Sequence, residues 1–378
     1  ASAQLPLGSA VQVNQDNVNF QSRPQVAMAP DGSGWFVWSN FHTSDVSVRS
    51  FNVAGSMTAE ATLNTHLPNS QFTPKIDVNG SGDRAISWVS IDQFGASSDR
   101  DTIVRHSTGG SLGAEILGQA DSVAEPDETD VAIHSDDSLI AVWREGGTLW
   151  AHRWASNSNS LGDDESVAFD ANMMWFAVAA RPSGGSVVVF EAPAVSHGVY
   201  ARLLAADASG MGFPFPLSET DEFPGTEPDV DSDDLGAFVA VWVTPGFGHV
   251  YARQFRADGT ALSGDIQVTT SENIYRYFPK VALGPDGSFV VGWSERTSPG
   301  ADDHIFAREF TRTGRAVGGP FAIEDDSDAL LTSLSMGRGR FMAVWQAPDQ
   351  DFDGVFARLY ERRVIFSDGF EGGTTQYW

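Results

Sequence analysis

The densest run of metal-type donors in the chain is Asp349-Gln350-Asp351-Phe352-Asp353-Gly354. Alternating Asp, with a Gly to turn the backbone, can aim the carboxylates of Asp349, Asp351 and Asp353 at one point. A hard ion such as Ca²⁺ uses that arrangement when it gathers about six to eight oxygens. An EF-hand loop would carry Glu at position 360, but Tyr360 stands there. The expectation is therefore a calcium-binding hairpin completed by backbone carbonyls and water, and its rival is a solvated acidic hairpin. Asp302-Asp303 is a fragment of the same pattern. His197, His249 and His304 occupy matching places in three successive repeats, which makes repeat inheritance the plainer reading and a clustered metal or base site the sharper one. No His-x-His or His-Glu-x-x-His occurs, so nothing points to dedicated zinc. There is no Gly-x-Ser-x-Gly elbow and no phosphate loop. The absence of Cys removes thiol catalysis and disulfides. Tyr275-Arg276-Tyr277 sets two aromatic rings beside a guanidinium.

These residues gain meaning only from the elements that hold them, and those elements repeat. An apolar pair, a Gly or Asp turn and a small-apolar run ending in an aromatic recur seven times. The aromatics are Trp38, Trp88, Trp143, Phe190, Trp242, Trp293 and Trp345, spaced 50, 55, 47, 52, 51 and 52 residues. A second signature follows each, for example His249-Val250-Tyr251-Ala252-Arg253 and His304-Ile305-Phe306-Ala307-Arg308. One repeat thus reads as four short strands, A to D. Turns such as Pro30-Asp31-Gly32 supply a fixed φ, a side-chain cap and a positive φ. Strand B (Phe289-Val290-Val291-Gly292-Trp293) is apolar on both faces, as a strand covered on both sides must be.

Four-stranded sheets covered on both faces and repeated in this way predict an all-β, seven-bladed β-propeller of antiparallel blades over residues 1–365. Residues 366–378 form a short tail. The seventh unit lacks a strand D, while Leu7 to Asn14 is an orphan strand of that type. The N-terminal strand is therefore expected to complete the last blade. In a propeller the B–C and D–A loops share one face. Here they are longer and more varied than the turns opposite, which makes that face the candidate surface. Its candidate ligand-binding residues are Tyr275, Arg276, Tyr277, Asp302, Asp303, His304, His249 and His197. The Arg column (Arg49, Arg105, Arg202, Arg253, Arg308, Arg358) sits mid-strand between apolar neighbours, and is expected to bind the adjacent blade rather than a ligand.

Bulk chemistry narrows the partners. With 23 Lys plus Arg against 50 Asp plus Glu, the net charge of −27 repels phosphate backbones and disfavours polyanions. Nucleic acid is excluded as a partner on this ground. No apolar run approaches membrane-spanning length. Ala1-Ser2-Ala3 without an initiator Met reads as a processed, exported chain.

The repeats resemble a bacterial secreted propeller family whose blades read, loosely, VA…DGGFVVVW…GIYAQRFDADGTPLG…FQVNT. Residues 248–269 carry the second half of that pattern, and the resemblance is best in blades 5 to 7. It implies an extracellular or cell-surface propeller of a kind found in adhesive or calcium-dependent proteins, and it implies no defined activity. The segment from Phe366 to Trp378 is similar to a short C-terminal tail of exported proteobacterial proteins. The functional expectation is a secreted or cell-surface binding or structural propeller for a glycan or protein ligand, with Ca²⁺ as its candidate cofactor. The alternative is a carbohydrate-active enzyme, a glycosidase or polysaccharide lyase, working on the same loop face. Two carboxyls opposed across a deep cleft would mark the enzyme.

Overall fold

The repeat folds as its apolar pattern dictates. The computed structural model describes residues 7–94, 100–119, 126–181, 184–219, 224–233, 235–324, 328–337, 339–349 and 352–362. Seven antiparallel sheets stand around an axis as a β-propeller, each with four strands in the order A to D, and blade 2 adds a short side pairing. Among the described residues there is no helix. Strands A, nearest the axis, are Gln21–Met28, Gln71–Val78, Glu128–Ile133, Phe176–Ala180, Thr226–Ser232, Tyr275–Leu283 and Leu330–Gly337 in blades 1 to 7.

Both faces of every strand B are covered because blades stack face to face. In blade 5, Phe238–Val243 is buried throughout. The Trp column is fully buried, and Trp242, Trp293 and Trp345 stack on Tyr251, Phe306 and Phe356 of their own strands C at 6.2, 6.3 and 6.4 Å between ring centres. The apolar core is thus a ring of inter-blade layers. One such layer joins Ala177, Val187 and Val199 of blade 4 to Val230, Phe238 and Trp242 of blade 5. Each buried side chain of this size contributes roughly 1.5–3 kcal/mol.

Ring closure follows from the missing strand. Val11 pairs with Ala357 and Gln12 with Phe356. The amides of Leu7 and Val13 donate to Leu359 O (3.0 Å) and Val355 O (2.7 Å), and Asn14 Oδ1 accepts from the Val355 amide at 2.8 Å. Residues 7–14 therefore complete blade 7 and cover its open edge.

The Arg column joins neighbouring blades. Arg49, Arg105, Arg253, Arg308 and Arg358 each donate through one Nη to a carbonyl at the outer strand of the preceding blade: Val13, Leu63, Leu217, Val268 and Ile323, at 2.5, 2.7, 2.9, 2.7 and 3.2 Å. Their Nε atoms donate to Thr58, Gly113, Ser263, Gly318 and Gly8, carbonyls beside strand D of the same blade. Arg202 reaches Val167 O at 2.9 Å and pairs with Glu165. In blade 3 the place is taken by His152, which holds Asp164 at 2.7 Å instead. A rigid planar fork with several donors suits two carbonyls on different strands better than an ammonium would.

Candidate functional site

The B–C/D–A face carries large apolar side chains turned outward. Phe20, Phe41, Phe94, Phe247 and Phe352 are all about half exposed. Two aromatic pairs cross blade seams. Phe20, entering blade 1, lies 4.8 Å from Phe352 of the last B–C loop, and Phe247 of blade 5 lies 4.3 Å from Tyr275 of blade 6. Amides and carboxylates surround them: Asp16 accepts from His42 Nδ1 at 2.8 Å, and Asn19 donates to Phe41 O at 3.3 Å.

The residues marked from sequence divide into several groups. Tyr275 belongs to one of the aromatic pairs. Arg276 does not face a ligand. It is buried, and donates to Glu295 (3.1 Å), Gly248 O (2.8 Å) and Ser271 O (2.7 Å), so its guanidinium fastens two loops together. Tyr277 lies under the Arg296 guanidinium, 4.9 Å from its ring centre, and its buried hydroxyl has no hydrogen-bond partner. Arg296 Nε also lies 3.1 Å from Asp303 Oδ1. Burial first, then the negative charge of Asp328, pushes the Asp303 carboxyl up to about 6, against the pull of His304. Asp302 is exposed beside it.

The three histidines stay within their own repeats and do not make one column: Gly198 takes the place of His249 and His304, and His197 lies one residue before it. His197 and His249 sit edge-on to Tyr200 and Tyr251, and His249 also approaches Glu272 at 3.4 Å. His304 pairs with Glu295 across strands B and C. In the acidic hairpin, Asp349 Oδ2 accepts from Gln12 Nε2 at 3.0 Å and Asp353 Oδ2 from Gln346 Nε2 at 2.7 Å. These two carboxylates turn to separate amides, and Asp351 lies outside the described residues, as does the tail 366–378. Among the described residues no group of three or more His, Asp or Glu could hold a metal ion.

Sequence reading missed the axis. A cavity of about 730 Å³ runs along it, lined by all seven strands A. The inner edge of each strand A has no strand to pair with, so its amides need other acceptors. Side chains of the preceding blade supply them. Asp77 accepts from Ile133 N, Asp130 from Val178 N, Asp229 from Val281 N and Asp231 from Leu283 N, at 2.9, 3.0, 2.9 and 2.7 Å. Ser335 does the same for Met28 N at 2.9 Å. Burial raises Asp130, and lifts Asp77 to about 6 and Asp231 to about 7, despite these hydrogen bonds. The signal lay in the repeat itself, since Asp is averse to strands yet recurs in strands A.

On the loop face the axis narrows. Arg23, Thr73, Glu227 and Phe278 hold positive φ of 53, 54, 52 and 52° at bulges in four strands A, each just before a Pro. That backbone is strained, because a side chain crowds it there. Two contacts then bridge the axis, each passing over one blade: Arg23 to Glu128 at 3.0 Å, and Trp175 to Phe278 at 5.6 Å between ring centres. Below them the cavity continues to the A–B turns at Pro30, Gly80, Pro285 and Gly337.

The chain matches no protein-family model and no curated protein. Its likeness to solved structures lies in the fold. A protein of unknown function from Dyadobacter fermentans is 11% identical over 96% of this chain and 99% of that one, with a TM-score of 0.58. A fungal alcohol oxidase in complex with copper is 14% identical, with 96% and 77% covered and a TM-score of 0.60. An ulvan lyase bound to a GlcA–Rha3S saccharide is 9% identical, with 96% and 95% covered and a TM-score of 0.55. Identities this low show a common propeller fold, and a fold by itself names no ligand.

Proposed function

We propose that the protein is a non-catalytic binding propeller that works outside the cell and takes a glycan chain on its B–C/D–A face. The observation that carries this reading is the two aromatic contacts crossing blade seams on that face, exposed Phe20 with exposed Phe352 and exposed Phe247 with half-buried Tyr275. Monomeric proteins expose such apolar groups together mainly where something binds, and flat rings beside carboxylates and amides suit the two faces and the hydroxyls of a sugar. The net charge of −27 turns away sulfated and uronic polymers. A glycan array followed by calorimetry on the hits tests this. Binding without release of reducing ends is the expected result; silence across the array, with no polysaccharide retarding the protein in a gel, overturns it.

Calcium at the Asp349–Asp353 hairpin is a second element of the proposal, resting on the alternating Asp residues. Its test is a pair of melting curves, in calcium and in EDTA; superimposable curves remove the ion from the reading.

One observation favours an enzyme instead. Asp303, buried and raised to about 6, is a carboxyl suited to donating a proton in weakly acidic solution. If the protein cleaves a glycan, Asp303→Asn lowers turnover by about a hundredfold or more and leaves affinity intact. The wild-type rate then falls as pH rises through 6 and the acid ionises. Absence of turnover in the wild type on a polysaccharide panel disposes of this alternative.

A further inference from the structure

We infer that the seam between blades 7 and 1 is a subsite for an amine-bearing glycan, its aromatic rings taking sugar faces and its carboxylates taking the ammonium groups. The inference rests on the loop-face reading and narrows it to one place and one ligand chemistry.

Four large apolar side chains stand in the open there: Val18, Phe20, Phe41 and Phe352 are 50, 44, 50 and 52% exposed. Two of them are in ring contact, and the backbone joins a third to them. Phe20 and Phe352 lie 4.8 Å apart at 38°, and the Phe41 amide donates to Phe20 O at 3.0 Å. The patch is held in place from beneath. Asp16 accepts from the Val18 amide (3.1 Å), from Asn40 Nδ2 (3.2 Å) and from His42 Nδ1 (2.8 Å), which fixes the segment entering blade 1. Asn14 and Gln12 both donate to Asn17 Oδ1, and Gln12 also reaches Asp349, so the closing strand carries the patch with it. Asp349 in turn accepts from the Phe352 amide at 3.1 Å.

Carboxylates outnumber cations around the patch, where His42 pairs with Asp16. Asp16, Asp349 and Asp353 all lie in this seam. Burial works to raise the Asp16 carboxyl, but the hydrogen bonds from His42, Val18 and Asn40, with the charge of His42, outweigh it and hold it below its ordinary value, so it is ionised at neutral pH. The two lysines of the chain, Lys75 and Lys280, lie at the axis cavity, and Arg23, whose amide reaches Gln346 across this seam, turns its guanidinium away to Glu128. A cation attracted by a surface of net charge −27 therefore meets carboxylates and aromatic faces together, and both favour it. A sugar polymer with free amines offers ring faces and ammonium groups in alternation.

The test is calorimetry with a glucosamine oligomer, its fully N-acetylated counterpart and a neutral glucan oligomer. The wild type is expected to bind the glucosamine oligomer at least tenfold tighter than the other two, a difference of about 1.4 kcal/mol. About 0.5 M salt should remove most of that preference. Phe20→Ala with Phe352→Ala should lose about tenfold or more, and Asp16→Asn several-fold, with unchanged circular dichroism. Phe213→Ala, at an exposed aromatic on the outer strand of blade 4 away from the loop face, should keep the preference and controls for folding. Equal affinity for the acetylated or neutral oligomer, or full affinity in the double Phe variant, overturns the subsite while the loop-face reading stands. Failure to bind any glycan overturns both, as does binding confined to a basic protein.

Discussion

The Arg column shows what a single side chain does in this ring. Arg253 donates to Ser263 O beside its own outer strand at 3.1 Å and to Leu217 O of blade 4 at 2.9 Å, and it meets Glu219 at 3.1 Å on the surface. Removing it leaves two carbonyls short of a donor at the blade contact. Arg253→Ala should therefore cost about 1–3 kcal/mol, read as a lower urea midpoint with an unchanged slope. Lys in its place should recover only part of this, since it lacks the planar fork. A midpoint equal to the wild type would mean the guanidinium only decorates the seam. This role was legible, because six Arg at one repeat position between apolar neighbours need a common partner and only the adjacent blade recurs with them. Arg276 was not legible. Its two Tyr neighbours made Tyr275-Arg276-Tyr277 look like an exposed patch, but in a strand alternate residues face opposite ways. Tyr275 meets Phe247 on the loop face and Tyr277 lies under Arg296, while the guanidinium turns in toward Glu295 and two carbonyls.

At the scale of elements, the closing strand was readable and the bulges were not. Blade 7 ran out of sequence after strand C while Leu7 to Asn14 matched a strand D, and the structure pairs Val11 with Ala357. Deleting residues 7–14 should expose the edge of strand Asp353–Glu361 and the apolar layer around Val13, Val344 and Val355. The expected result is a melting temperature lower by several degrees and concentration-dependent aggregation. A truncated chain that melts like the parent would show that the latch is dispensable. The strained residues before Pro24, Pro74, Pro228 and Pro279 gave no such cue, because Pro in a strand reads only as an edge or an irregularity. What the bulge achieves, turning Arg23 and Phe278 over the axis, depends on neighbours two blades away.

For the whole molecule, the inner ring of carboxylates sets how stability responds to pH. Asp77, Asp130, Asp231 and Glu227 are all raised, chiefly by burial. A raised group binds its proton more tightly in the folded chain. Its contribution is complete below its unfolded value near 4 and is lost as pH climbs through the folded one, about 6 for Asp77 and about 7 for Asp231. Asp16, Asp83, Asp136 and Asp286 are lowered instead, hydrogen bonds and nearby cations outweighing burial, and they withdraw stability only in stronger acid. The melting temperature should therefore be higher near pH 5.5 than at pH 8, by a few degrees. Asp231→Ser, the residue type that blade 7 already uses at Ser335, should lower the melting temperature at pH 5.5 and shrink the difference between the two conditions. A melting temperature that rises steadily from pH 5.5 to 8 would contradict the assignment.

The pairing of Gln12 with Phe356 ties together two residues of which the first is made six repeats before the second. Contacts this remote in sequence form late and slowly. During most of translation the first repeat has no neighbour on one side, and its apolar layer stays wet until the seventh repeat arrives. The circle therefore closes only once the seventh repeat has been made, and anything that must handle this polypeptide as an open thread has the whole of that interval in which to do so.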